Sequence, residues 1–142
     1  MIYTNMTKKA LRLSFEAHKE QTDKGGMPYV YHPFHLAEQM DSEVTATVAL
    51  LHDVVEDTAY TIDDIIAMGF PKPVTDALDL LTHDTSVPYM DYIATLKSNP
   101  IAKAVKLADL RHNSDTSRLD IVDEKTKRRI AKYFAAIKLL TG

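Results

Sequence analysis

Cysteine is absent from all 142 residues. That excludes disulfides, thiolate catalysis and zinc sites that need sulfur. The phosphate-cradling loops G-x-G-x-x-G and G-x-x-x-x-G-K do not occur, and neither does the nucleophile elbow G-x-S-x-G. No apolar run reaches membrane-spanning length, and the N-terminal MIYTNMTKKALRLSFEAHKEQ has no signal-peptide core. A cytoplasmic protein with no membrane partner is therefore expected. The net charge is −3 and there is no broad basic stripe, which argues against binding long nucleic acid. A small anionic nucleotide is still admissible, because a metal and a few lysines can neutralise phosphates locally. Repeats, linkers and low-complexity tracts are also lacking, and no segment alternates as a strand does.

What the chain does have is helical periodicity almost throughout. Thr7 or Asn5 is placed to cap a first helix running to about residue 23, with Ala10, Leu11, Leu13, Phe15, Ala17 and His18 on its apolar side and Gly25–Gly26 at its end. A short helix is expected from Pro33. A central helix capped by Asp41 or Ser42 is expected to run unbroken over 43–57. Thr61 starts another, residues 71–82 form the next, and Pro88 and Pro100 each open one more. Residues 114–122 read as a loop, and Asp123 caps a last helix with Ile130, Tyr133, Phe134, Ile137 and Leu140 inward. The expected fold is all-α, a bundle of six to eight helices in one domain spanning 1–142.

The stretch ALLHDVVEDT, 49–58, dominates the pattern. An apolar run leads without interruption into His52 and Asp53, and Glu56 and Asp57 follow one turn later. Acids stacked at the end of a helix repel each other and oppose its dipole, so stability alone accounts for them poorly. A bound cation removes the difficulty. A second polar cluster, Lys106, Asp109, Arg111, His112 and Asn113, interrupts the otherwise apolar VKLAD. Asp109 falls where a buried helix prefers leucine and needs a partner there. His32, His52, Asp53 and Asp109 are the candidate metal ligands, and two imidazoles with two carboxylates suit manganese, iron, zinc or cobalt. Glu56 and Asp57 are the candidate catalytic acids, placed to take or orient a water's proton. His18 reads either as a buried structural histidine or as a residue facing a pocket.

Four ordered pieces, AHKEQ…GGMPYVYHP (17–33), ALLHDVVEDT (49–58), the FP…V…L..LT stretch (70–82) and AKAVKLADLRHN (102–113), resemble the HD superfamily of metal-dependent phosphohydrolases. The likeness is greatest to the hydrolase domain of the RelA/SpoT-type alarmone enzymes and their small stand-alone members. It implies an HD-domain helical bundle that hydrolyses the 3′-pyrophosphate of ppGpp or pppGpp, usually with manganese. It also implies His32, His52, Asp53 and Asp109 as metal ligands, and Glu56 and Asp57 at the water and the pyrophosphate. Asn113 would line the sugar side, with Lys24, Lys106 and His18 as further candidate substrate contacts. The chain departs from the family pattern at Asp23, where these hydrolases commonly carry a basic residue against the guanine; here only the adjacent Lys24 is basic. The alternatives are another HD-type nucleotidase or phosphodiesterase, and a catalytically silent metal- or nucleotide-binding module.

Overall fold

A computed structural model describes residues 1–117 and 119–142. Arg118, inside the loop expected over 114–122, lies outside the described residues. The described chain is all-α, with one isolated antiparallel bridge between Thr22 and Pro28 and no longer strand. Eight helices of six or more residues are α1 (Asn5–His18), α2 (Tyr31–Glu38), α3 (Glu43–Leu51), α5 (Ile62–Ala67), α6 (Lys72–Leu81), α7 (Tyr89–Leu96), α8 (Pro100–Asn113) and α9 (Glu124–Thr141). A single turn, α4 (Val54–Asp57), lies between α3 and α5.

Helix α3 is the centre. Every residue from Ala46 to Leu51 is buried, and α1, α2, α6 and α8 pack around it. Its sequence is apolar on all sides, as a helix enclosed by others must be. On α1 Thr7, Ala10, Ser14 and His18 are buried and Leu11, Leu13 and Ala17 pack half-buried on the core, as expected, whereas Phe15 is exposed. On α9 the buried residues are Thr126, Ala136 and Leu140, and Phe134 is exposed. This helix packs chiefly on α7 and α8, with Tyr133 and Ile137 half-buried against the core, as expected.

Helix starts follow local chemistry. Ser42 caps α3 through the Thr45 amide, and Asp123 caps α9 through the Thr126 amide. At α5 the Thr61 side chain accepts from the Asp64 amide while Asp64 accepts from the Thr61 amide, a complete capping box. The cap of α1 is Thr4, one residue before Asn5 and three before Thr7, because Thr7 answers it reciprocally at the third helical position. This helix also stops at His18 and does not reach 23. Pro33 lies in the first turn of α2, where its missing N–H leaves no bond unmade.

The main departure is at 52–53. The unbroken helix expected over 43–57 ends at Leu51, and Asp53 takes φ −100°, ψ −3° before α4 begins. The His52 Nδ1–H donates to the Ala49 carbonyl at 2.7 Å. The Tyr29 hydroxyl donates to Asp53 Oδ2. These two side-chain bonds turn neighbouring side chains, which a regular helix would splay apart, towards one point.

Candidate metal centre and cleft

Three of the four expected ligands meet. His32 from α2, His52 at the end of α3 and Asp109 from α8 bring their ligand atoms within 4.8 Å of one another, and all three are buried. His32 Nε2 lies 2.8 Å from Asp109 Oδ1, and His52 Nε2 lies 3.5 Å from the same oxygen. Asp53 stands beside them, its Oδ2 3.0 Å from His52 Nε2 and 3.9 Å from His32 Nε2.

The donor chemistry fits a divalent ion. A carbonyl can only accept, so the Ala49 contact holds the His52 proton on Nδ1 and leaves the Nε2 lone pair towards the carboxylates. That nitrogen is buried and within ion-pair distance of two acids, yet aligned for a hydrogen bond with neither. Buried nitrogen and oxygen atoms converging from three helices are what a transition ion binds.

The surrounding groups hold the acids ionised. Burial opposes charge on Asp109, but the Lys106 ammonium at 3.1 Å and the His32 contact keep its carboxyl well below the usual range. Asn113 Nδ2 donates to Asp109 Oδ1 at 3.0 Å. Burial likewise opposes charge on His52, but Asp53 and then Asp109 raise its pKa well above the ordinary value. In the metal-free protein this ion pair stabilises the fold below the ordinary histidine pKa, and the contribution is lost as pH rises through the raised value. A cation competes with that proton, so its contribution has the opposite sign. The gap in melting temperature between manganese-loaded and chelator-treated protein is therefore expected to widen as pH rises. Thermal melts on both sides of neutrality check this, and a gap that narrows with rising pH contradicts it.

Glu56 and Asp57 are open to solvent on α4, with carboxyl groups that the surrounding protein partly withdraws from water. Both pKa values are raised, first by burial of the carboxyl groups and then by the charge of Asp53. Glu56 Oε1 accepts from the His83 amide at 3.2 Å, and the Asp57 carbonyl accepts from Gln21 Nε2 at 3.1 Å. Gln21 in turn accepts from His18 Nδ1 at 2.8 Å, so the end of α1 braces α4.

A cleft of about 340 Å³ adjoins the triad at His32. Its lining includes Lys24, Tyr29, Asn113, Arg129 and Tyr133, which brings two of the expected substrate contacts together. Burial lowers the Lys24 pKa, and so do the positive charges of Arg129, Lys125 and Lys132. The cleft thus carries two cations, Lys24 and Arg129, beside two acids, Asp23 and Asp115. The other two expected contacts are elsewhere. His18 is fully buried, its ring 4.9 Å from that of Tyr29. Lys106 is committed to Asp109 and lies over the Tyr92 ring.

Asp23 also lines the cleft, and its side chain has a structural task. Its Oδ1 accepts from the Gly25 amide at 2.8 Å and the Met27 amide at 3.0 Å, bracing a turn that places Gly26 at φ +79°. Asparagine keeps that acceptor and arginine does not. D23N is expected to melt and bind substrate nearly as wild type does. D23R should lose about 1–3 kcal/mol of stability and show a raised KM. Thermal melts and steady-state kinetics of the two variants test this, and equal behaviour of the pair rules out the bracing role.

Several cleft residues were not singled out by sequence. Tyr29 stands three residues before His32, a local signal that was available. Arg129 and Tyr133 belong to the final helix and carry no signal that ties them to Lys24.

No protein-family model matches the chain. Individual relatives do. The guanosine-3′,5′-bis(diphosphate) 3′-pyrophosphohydrolase MESH1 of Mus musculus is 31% identical over 135 residues, covering 84% of this chain and 75% of that protein. The Homo sapiens enzyme of the same name is 31% identical over 130 residues, covering 82% and 72%. The bifunctional (p)ppGpp synthase/hydrolase SpoT of Escherichia coli K12 is 30% identical over 140 residues, which span 88% of this chain and 20% of that protein. Among solved structures, one described as a metazoan ortholog of SpoT that hydrolyzes ppGpp superposes with a TM-score of 0.78 at 25% identity, covering 99% of this chain and 85% of the other.

Proposed function

Because this chain belongs to the guanosine-3′,5′-bis(diphosphate) 3′-pyrophosphohydrolase family, we propose that it hydrolyses the 3′-pyrophosphate of ppGpp or pppGpp, giving GDP or GTP and pyrophosphate. The observation that carries the reading is the convergence of His32, His52 and Asp109 beside a cleft whose wall carries Lys24, Asn113 and Arg129. His32, His52, Asp109 and Asp53 would hold the ion, most simply manganese. A divalent ion there supplies charge for phosphate oxygens and lowers the pKa of a water.

The protein's own groups do the rest. Lys24 and Arg129 attract the polyphosphate and hold it by charge. Asn113, held by Asp109 in the wall of the cleft, is the group we assign to the sugar. Glu56 and Asp57, with proton affinities raised by burial and by Asp53, orient a water and accept its proton. The Tyr29 phenol, whose own pKa is pushed far up by burial and by Asp53, remains a donor and holds the Asp53 carboxylate in one orientation.

A panel of ppGpp, pppGpp and nucleoside monophosphates, assayed with manganese for pyrophosphate and for orthophosphate, tests the reading. Pyrophosphate from the first two supports it. Orthophosphate from monophosphates alone points to a nucleotidase, and metal binding without any turnover points to a silent module.

A further inference from the structure

His112 has no part in the reading above, yet it touches the far edge of a metal-facing imidazole. Its Nδ1 lies 2.6 Å from His32 Nδ1. The two rings are inclined by only 12°, with centroids 4.9 Å apart. Nitrogens so close and centroids so far apart mean that the rings meet edge to edge in nearly one plane and do not lie face to face. That is the geometry of an in-plane N–H···N hydrogen bond. On the opposite edge of the same ring, His32 Nε2 lies 2.8 Å from Asp109 Oδ1; an ionised carboxylate only accepts, so in the metal-free protein this edge carries a proton, which a cation displaces. The His35 ring, 4.4 Å away, packs against His112.

A neutral imidazole has one N–H and one lone pair. For Nε2 of His32 to offer its lone pair to a cation, the proton must be on Nδ1, and whatever faces Nδ1 must accept it. In most metal sites the acceptor is a carboxylate, a backbone carbonyl or a water. Here it is a second imidazole, which accepts at Nδ1 only when its own proton is on Nε2. We propose that His112 is the acceptor that fixes His32 in its metal-binding tautomer, making it a positioning residue that sets the affinity of the centre without touching the ion. His52 needs no such partner, since the Ala49 carbonyl can only accept. The two imidazoles of the centre are therefore held differently, one by the backbone and one by a replaceable side chain. The inference rests on the metal centre of the reading above and not on its substrate.

The test is manganese affinity, measured by competition with a chelating dye, for wild type, H112N and H112F. Asparagine places an acceptor oxygen close to the position of Nδ1; phenylalanine keeps the ring and offers none. H112N is expected to bind within a few-fold of wild type, and H112F about 10–100-fold more weakly. A mere packing role gives the reverse order, with the phenylalanine tolerated and the asparagine not. Wild-type affinity in H112F, or equal losses in both variants, overturns the proposal. If H112F does not fold, the wild type decides by nitrogen-15 NMR of its imidazoles with zinc bound. His32 protonated at Nδ1 and His112 at Nε2 is the expected result, and His112 protonated at Nδ1 overturns it. No nucleotide enters either measurement, so failure here and failure of the substrate reading are separate outcomes.

Discussion

Alanine at position 109 is expected to strip the protein of its divalent ion and to lower ppGpp turnover by several orders of magnitude. Asp109 is the residue on which the centre converges, facing His32 and His52 through Oδ1 and Lys106 through Oδ2. Its removal takes away a charged ligand and leaves Lys106, whose side chain is 14% exposed, without its carboxylate. Breaking a buried pair from one side costs about 3–5 kcal/mol, so D109A should also melt earlier. D109N separates the two effects. It keeps the volume and one acceptor oxygen while losing the charge, so the ion should still go and more of the stability should remain. Elemental analysis of both purified variants, alongside thermal melts, reads the outcome. Full metal content in D109N would take Asp109 out of the ligand set.

The second large effect is expected at Glu56 and Asp57. E56Q and D57N should each lower turnover by about 10²–10⁴-fold, the range of a lost proton-transfer role, with metal content unchanged. Stability should move the other way. Burial and the charge of Asp53 raise both carboxyl pKa values, so the ionised forms are disfavoured in the fold and the neutral forms are not. The amides should therefore melt no lower than wild type, and higher in the pH range where both acids are ionised. A variant that is inactive yet at least as stable shows that the acids are kept for chemistry. A variant with wild-type turnover, or one that loses the ion together with activity, removes the role assigned here.

Much of this architecture can be read from the chain. The Thr61–Asp64 box, the prolines at 71, 88 and 100 and the caps at Ser42 and Asp123 place helix starts by local chemistry alone. The buried centre is equally legible, because the stretch leading to Leu51 has no polar face to turn outward. The break between Leu51 and Val54 is not legible. No glycine or proline marks it, and it is made by bonds to the Ala49 carbonyl and to Tyr29, the second of which exists only after folding. The same limit applies at the cleft. Asp23 looks like a lost base contact in the sequence, whereas in the fold its carboxylate braces its own turn. The charge that faces the cleft comes partly from Arg129, on a helix whose basic residues look like an ordinary solvated face. Candidate metal ligands are more legible than candidate substrate contacts for a simple reason. An acid or imidazole in an apolar helix is conspicuous, while a cation at a helix surface is not.

The central claim is that the His32–His52–Asp109 centre uses a divalent ion to release pyrophosphate from ppGpp. The most direct measurement is product analysis of ppGpp turnover by metal-stripped protein before and after manganese is added back. The account predicts no turnover by the stripped protein, and GDP with pyrophosphate as the only products once manganese is restored. Orthophosphate as the released product, or turnover that stripping does not diminish, would contradict it.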